Sequence, residues 1–160
     1  YVIIFIFFSL MVNAQKIDTS LTLPDGFSAY IFADNLGRAR HITVDDKGDV
    51  YVALRELKNN KGIVALRDEN DDNRADRVEY FFDEPGTGIS WQDDYLYFSP
   101  NTAVYRFKFS GTELVPDGSP DKIVKNLKDQ SQHGAKSFTL DKRGNLYLNI
   151  GAPSNACQKE

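Results

Sequence analysis

The sequence lacks an excess of positive charge and any cluster of basic residues. The 160 residues include 19 lysines and arginines against 23 aspartates and glutamates, so the formal net charge is −4. A protein that binds nucleic acid needs a clustered positive face. Because no basic block is present, we expect no nucleic-acid partner.

A sustained helical pattern is also missing. No segment repeats apolar residues every three or four positions over several turns. Instead, short segments rich in aromatic and β-branched residues alternate with turns of Gly, Pro, Asp and Asn, which is the pattern of strands and hairpins. The sequence therefore predicts an all-β fold.

Cysteine is nearly absent, since Cys157 is the single one. An odd cysteine in an exported protein points to a disulfide partner elsewhere. The simplest partner would be a cysteine downstream of Glu160, and the alternative is an inert free thiol. The sequence leaves the two open.

Export is predicted by residues 1–14. Residues 2–12 are apolar except for one serine, and Val12 and Ala14 supply the small residues of a cleavage site before Gln15. The apolar run is too short to span a bilayer, which needs about 20 residues. We therefore expect a signal peptide truncated at its start, no stable membrane span, and a secreted or periplasmic protein.

What the sequence does contain is a phrase that occurs twice: apolar, any residue, apolar, Asp, two residues, Gly, any residue, apolar, Tyr, apolar. The copies are residues 42–52 and 138–148, which start 138 − 42 = 96 positions apart, and a degenerate copy spans residues 89–98. A period of roughly 40–50 residues is typical of propeller blades. Residues 15–160 are therefore predicted to be the N-terminal part of a six-bladed β-propeller, with about two to three blades. A self-contained β-sandwich is the competing architecture.

Residues 68–79 have the spacing of a calcium loop. Side-chain oxygens fall at positions 1, 3, 5, 9 and 12, and a backbone carbonyl would serve at position 7. The predicted metal ligands are Asp68, Asn70, Asp72, Arg74, Asp76 and Glu79. The pattern departs from the EF-hand only in Asn73, which stands where Gly is usual. Because the flanks look like strands, we expect a structural Ca²⁺ site inside a hairpin, with a solvated acidic turn as the alternative.

Histidines stand directly or closely before both full copies of the phrase. His133 follows Gln132 shortly before the second copy, and His41 immediately precedes the first. In a propeller, such positions lie near the mouth of the central channel. An imidazole there suits a general base, because its ordinary pKa lies near neutral pH. An ordinary loop histidine is the alternative at both positions.

Together these segments resemble the glucose/sorbosone dehydrogenase family. The residues that carry the resemblance are 133–134, 138–151 and 154–157, with the early motif 23–27 and the loop 68–76 pointing to the sorbosone dehydrogenase-like branch. Members of that family are six-bladed propellers that use pyrroloquinoline quinone (PQQ). The resemblance covers residues 21–160.

The resemblance implies an exported PQQ-dependent dehydrogenase that oxidises an aldose- or sorbosone-type sugar and passes electrons to an acceptor. His133 would be the general base that takes the proton of the C1 hydroxyl while hydride passes to the quinone. Gln132 would lie in the substrate site, where glucose-oxidising members carry Asp. Because the residues that clamp the quinone would come from later blades, we expect these 160 residues alone to be inactive.

Two other functions remain open at this point. A lactonase-type propeller would hold a metal on a central cluster of carboxylates and amides. A non-catalytic propeller that binds carbohydrate or a surface would show neither that cluster nor a cationic clamp for a quinone.

Overall fold

A computed structural model describes residues 21–130 and 132–152 of the chain. These residues form ten β-strands and no helix, so the all-β prediction is confirmed for them. The strands are β1 (Ala39–Val44), β2 (Val50–Lys58), β3 (Lys61–Arg67), β4 (Arg77–Phe81), β5 (Gly86–Gln92), β6 (Tyr95–Pro100), β7 (Val104–Lys108), β8 (Asp121–Val124), β9 (Phe138–Leu140) and β10 (Leu146–Leu148).

The strands are arranged as two four-stranded sheets and a separate hairpin. The first sheet has the order β1-β2-β3-β4 and the second the order β5-β6-β7-β8, while β9 and β10 pair with each other. All pairings are antiparallel between strands that follow one another in the chain. Each sheet is therefore a simple meander.

Each full copy of the repeated phrase folds as one β-hairpin. In the first copy, Asp45 accepts hydrogen bonds from the backbone amides two and four residues on, both at 2.9 Å. Asp141 does the same in the second copy, at 2.8 and 2.9 Å. Gly48 and Gly144 have φ angles of 94° and 78°, a left-handed conformation that glycine adopts without strain. The phrase thus specifies a turn between two strands.

The degenerate copy builds its turn differently. Asp93 and Asp94 connect β5 to β6 and both have positive φ angles, 52° and 60°. Positive φ at both central residues is the signature of a type I′ turn, whose twist matches that of the flanking strands. The degenerate copy therefore also forms a β-hairpin, although it lacks the Asp-x-x-Gly sequence.

The core lies between the two sheets. Tyr51 and Ile63 of the first sheet pack against a cluster of buried residues that includes Leu96 and Phe98 of the second. Phe82 lies in this interface, with its ring centroid 4.8 Å from that of Tyr105. Edge-to-face aromatic pairs of this kind contribute about 0.5–1.5 kcal/mol beyond the area they bury. The two sheets are therefore held face to face by an aromatic-rich layer.

A second, smaller cluster covers the other face of the first sheet. It consists of Val52, Leu54, Val64 and Leu66, which alternate along β2 and β3 with the residues of the main core. Phe32 and Leu36, from the segment that precedes β1, pack against it. The first sheet is thus apolar on both faces.

The prediction of a partial six-bladed propeller is wrong. The residues that the structure describes form two four-stranded antiparallel sheets and a hairpin, with no ring of blades among them. The physical reason is that the repeated phrase encodes a tight turn, and any antiparallel meander uses such turns. Its spacing therefore shows that hairpins recur but does not determine how the sheets are arranged.

The predicted signal peptide, residues 1–14, lies outside the described residues, as does Cys157, so both predictions remain untested. Among the residues that are described, no helix is long and apolar enough to cross a membrane.

The close packing at Gly88 can be tested by adding a methyl group. A Cβ at this position would lie 2.3 Å from Ser99 Oγ and 2.6 Å from the Lys136 carbonyl oxygen. We expect Gly88→Ala to lower the free energy of unfolding by about 1–3 kcal/mol, measured by urea denaturation. Gly118→Ala is the matched control, because a Cβ there would meet nothing within 4 Å. Equal midpoints for the two variants would contradict the packing.

Candidate functional site

A cleft of about 460 Å³ opens where the two sheets meet the loop that precedes β9. Arg40 of β1, Arg55 of β2 and His133 are among the residues that line it. No acidic residue is found among the described residues that line it. The remaining lining residues are Pro85, Gly86, Thr87, Asn101, Gln130, Gly134 and Ala135.

Irregularities in the first strand of each sheet place two of these side chains at the cleft. Ala39 pairs with Leu54 but His41 pairs with Ala53, so Arg40 is an extra residue in β1. In the same way, Thr87 is the extra residue between Gly86 and Gly88 of β5. A β-bulge bends the strand and re-aims a side chain, and bulges are common beside active sites.

His133 lies on the wall of the cleft in an unusual backbone conformation. Its φ angle is 51°, a left-handed value that is uncommon for residues other than glycine. Gly151 packs against it so closely that a Cβ on Gly151 would lie 2.7 Å from the Cβ of His133. Gln132, predicted to bind substrate, is exposed and is not among the lining residues. The catalytic role of His133 stays a prediction.

Lys136 forms the buried support behind this wall. Its side chain is 0% exposed, and its ammonium donates to Asn101 Oδ1 at 2.9 Å, Gln130 Oε1 at 3.0 Å and the Gly134 carbonyl at 3.2 Å. Burial lowers the pKa of Lys136, and the negative charge of Asp129 opposes that shift. All three acceptors belong to residues that line the cleft.

The sequence analysis missed Arg40, Thr87 and Lys136, although the sequence contains a signal for them. Each lies two positions before a copy of the repeated phrase, which begins at residues 42, 89 and 138. The two histidines that the sequence analysis selected lie nearby: His41 follows Arg40, and His133 lies three residues before Lys136. His41 proves to donate from Nδ1 to the Thr87 carbonyl oxygen, which is a structural contact between the two sheets.

The predicted calcium loop shares no lining residue with the cleft, and its oxygens are engaged within the loop. The carboxylate of Asp68 accepts hydrogen bonds from the backbone amides of Asn70 and Asp72, each at 3.2 Å, and of Asn73 at 2.6 Å. Asp72 Oδ1 accepts from the Arg74 amide at 2.9 Å. These bonds wrap the backbone around Asp68.

The last two predicted ligands, Asp76 and Glu79, form hydrogen bonds and an ion pair with other residues. Asp76 accepts from the Glu69 amide at 2.8 Å and from Asn70 Nδ2 at 3.1 Å. Glu79 lies in β4 and pairs with Arg77. Across residues 21–130 and 132–152, no group of three or more His, Cys, Asp or Glu side chains is placed to hold a metal ion. Calcium binding by this loop stays a prediction.

Solved structures with the same fold define the class of the domain. The holo form of the pyranose dehydrogenase PQQ domain from Coprinopsis cinerea superposes with a TM-score of 0.65 at 16% identity, over 78% of this chain and 30% of that one. The calcium structure of the family AA12 carbohydrate-active enzyme from Trichoderma reesei gives a TM-score of 0.65 at 18% identity, over 79% of this chain and 32% of that one. The fold is therefore AA12-like.

The chain belongs to the TrAA12-like family, whose model matches residues 21–159. An uncharacterized protein of Borreliella burgdorferi is 24% identical over 169 residues, which cover 95% of this chain and 41% of that protein. The chain thus spans less than half the length of these relatives. The assignment to the glucose/sorbosone dehydrogenase family is wrong, because the family match and the shared fold both lead to AA12. Within the described residues, the motifs that suggested it form turns and strands, which do not separate one family from the other.

Proposed function

We propose that the protein is a PQQ-dependent sugar oxidoreductase and that the cleft forms part of its quinone and sugar site. The observation that carries the proposal is the charge of the cleft: Arg40 and Arg55 line it, and no acidic residue does among those described. PQQ carries three carboxylates, and the planar guanidinium of arginine matches a carboxylate with two parallel hydrogen bonds. The AA12-like fold and the family match support the same assignment.

The residues of the cleft fit the quinone by their chemistry. Arg40 and Arg55 would hold its carboxylates, and the Asn101 and Thr87 side chains offer polar groups on the same wall. When bound, the quinone would accept the two electrons that the sugar loses. A cationic pocket also stabilises a cofactor that gains negative charge on reduction.

His133 would take up the proton of the sugar hydroxyl on a ring nitrogen. His133 lines the same cleft as the two arginines, and histidine is the usual general base near neutral pH. The exposed amide of Gln132, the adjacent residue, would bind hydroxyl groups of the sugar.

The acidic loop and the N-terminus complete the proposal. Asp68, Asn70, Asp72, Arg74, Asp76 and Glu79 would supply oxygen ligands to a structural Ca²⁺, since alternating carboxylate and amide oxygens suit that ion. The apolar stretch at residues 2–12 supports export to the periplasm or the cell exterior. An external electron acceptor would reoxidise the quinone.

The quinone contact is tested by Arg40→Gln in the full-length protein. Loss of a charge-assisted hydrogen bond costs about 1.5–3 kcal/mol, so we expect PQQ affinity to fall by at least roughly tenfold, measured by fluorescence titration. Arg38→Gln is the matched control, because Arg38 is exposed and pairs with Glu56 instead of lining the cleft. If both variants bind PQQ as the wild type does, Arg40 does not hold the cofactor.

The base is tested by His133→Ala in the PQQ-loaded full-length protein. Loss of general base catalysis lowers rates by about 10²–10⁴-fold, so sugar-dependent dye reduction should fall in that range while PQQ affinity changes little. Lys122→Met is the control, since Lys122 is exposed and is not among the lining residues. Wild-type activity in His133→Ala would remove His133 from the mechanism.

The calcium site is tested by calorimetric titration with Ca²⁺. We expect the heat of binding to disappear in the Asp68→Ala, Asp72→Ala double variant, because two charged ligands are lost. Glu69→Ala is the control: it removes an acidic side chain of the same loop that lies outside the ligand positions, 3.7 Å from Arg77. An unchanged titration in the double variant would show that the loop is only an acidic turn.

A further inference from the structure

The ammonium of Lys136 is an unusual group to find fully buried. Taking an unpaired charge out of water costs several kcal/mol, and no carboxylate in residues 21–130 or 132–152 forms an ion pair with this one. Instead, its three N–H donors meet three neutral oxygens, from Asn101, Gln130 and Gly134, at 2.9–3.2 Å. A charged ammonium has three donors and no acceptor, so this acceptor set satisfies the charged form completely.

The three acceptors are not scattered. Gln130 and Gly134 lie on either side of His133 in the sequence, and Asn101 directly follows β6 in the second sheet. One ammonium therefore fastens both sides of the loop that carries His133 to the rigid sheet. Gln130 extends the connection, because its Nε2 donates to the Gly151 carbonyl at 2.8 Å.

Lys136 is itself held in place through its backbone. Its amide donates to Thr87 Oγ1 at 2.9 Å, and its carbonyl accepts a hydrogen bond from Ser99 Oγ. Both partners belong to the second sheet, in β5 and β6. The lysine is thus anchored at its main chain before its side chain reaches back under the loop.

The loop needs such an anchor. A left-handed backbone at a residue other than glycine costs of order 1–3 kcal/mol and persists only where the surroundings enforce it. His133 has this conformation, at φ 51°. The contacts of Lys136 lie one residue after it and three residues before it, so they constrain the chain where the turn is strained.

We propose that Lys136 is a positioning residue, whose buried ammonium holds Gln130 and Gly134, on either side of His133, so that His133 faces the cleft. The hydrogen bonds of Lys136 are observed in the structure, whereas a catalytic role for His133 rests on the proposed function. Lys136 cannot itself touch a bound sugar or quinone in this arrangement, because it is 0% exposed. It acts through the orientation of His133.

The test is Lys136→Met in the full-length protein, with Lys122→Met as the matched control. Methionine keeps the length and apolar stem but removes the three donors. Lys122 is an exposed lysine on β8, whose ammonium lies 4.8 Å from the centre of the Tyr105 ring. The first readout is the imidazole NMR spectrum, in which the signals of His133 are those missing from His133→Ala. The second readout is sugar-dependent dye reduction, with the PQQ dissociation constant measured separately.

We expect Lys136→Met to shift or split the His133 signals and to lower kcat by roughly 10- to 100-fold, the effect of a misplaced catalytic group, with the PQQ dissociation constant largely unchanged. Lys122→Met should leave the His133 signals, kcat and the PQQ dissociation constant as in the wild type. If Lys136→Met does not fold, Gln130→Met decides the question, because it keeps the charge and removes one side of the clamp.

Two outcomes overturn the proposal: unmoved His133 signals in the variants that fold, or a fall in kcat that is matched by loss of PQQ binding while the His133 signals stay in place. A wild-type protein that binds PQQ but oxidises no sugar would refute the proposed function instead. The His133 spectra would then still show whether Lys136 positions the loop.

Discussion

Thr87 is the point at which the three parts of the fold are joined. Its side chain accepts a hydrogen bond from the Lys136 amide at 2.9 Å, and its carbonyl accepts one from the imidazole of His41. The first contact ties the second sheet to the segment that enters the hairpin, and the second ties it to β1. Thr87 is the extra residue of a β-bulge and has no partner in the register of β5 with β6. Its carbonyl group is therefore available to accept the hydrogen bond from His41. The cleft exists because the starts of β1, β5 and β9 converge on this residue.

Convergence of strand starts also explains where the functional side chains lie. Arg40, Thr87 and Lys136 occupy the same place relative to the three copies of the phrase, two positions before each. At the first two positions the chain bulges and the side chain is presented to the cleft. At the third the side chain turns inward and is buried. The same position before the phrase thus lines the cleft in two copies and supplies internal support in the third.

The strands could be predicted from the sequence, whereas the arrangement of the sheets could not. Turns such as Asp45 to Gly48 are local: a side-chain acceptor and a left-handed glycine act within a few residues. The packing of Phe82 against Tyr105 depends on residues from different sheets, and no period in the sequence reports it. The propeller prediction is wrong because a recurring hairpin does not determine how the sheets pack together.

The same limit applies to the candidate site, whose functional residues remain a prediction. The sequence analysis selected His133 for its chemistry, and the structure does place it on the cleft wall. Lys136 was not predicted, because a lysine in a loop is ordinarily exposed and its burial depends in part on Asn101, 35 residues away in the sequence. The metal-ligand prediction for Asp68 and its neighbours remains untested. The Asp68 carboxylate accepts local hydrogen bonds from the amides of Asp72 and Asn73.

The cleft differs in charge from the protein as a whole. Arg40, Arg55 and the buried Lys136 bring positive charge to one region, although the protein as a whole is acidic. Like charges repel, and an apolar residue would fill the place of Lys136 at less cost in desolvation. Stability alone therefore does not account for the arrangement. A cleft that gathers cations in an acidic protein is suited to an anion, and a buried cation that supports its wall raises the local potential without competing for the ligand. This distribution of charge supports the proposed anion site, which Arg40, Arg55 and His133 line.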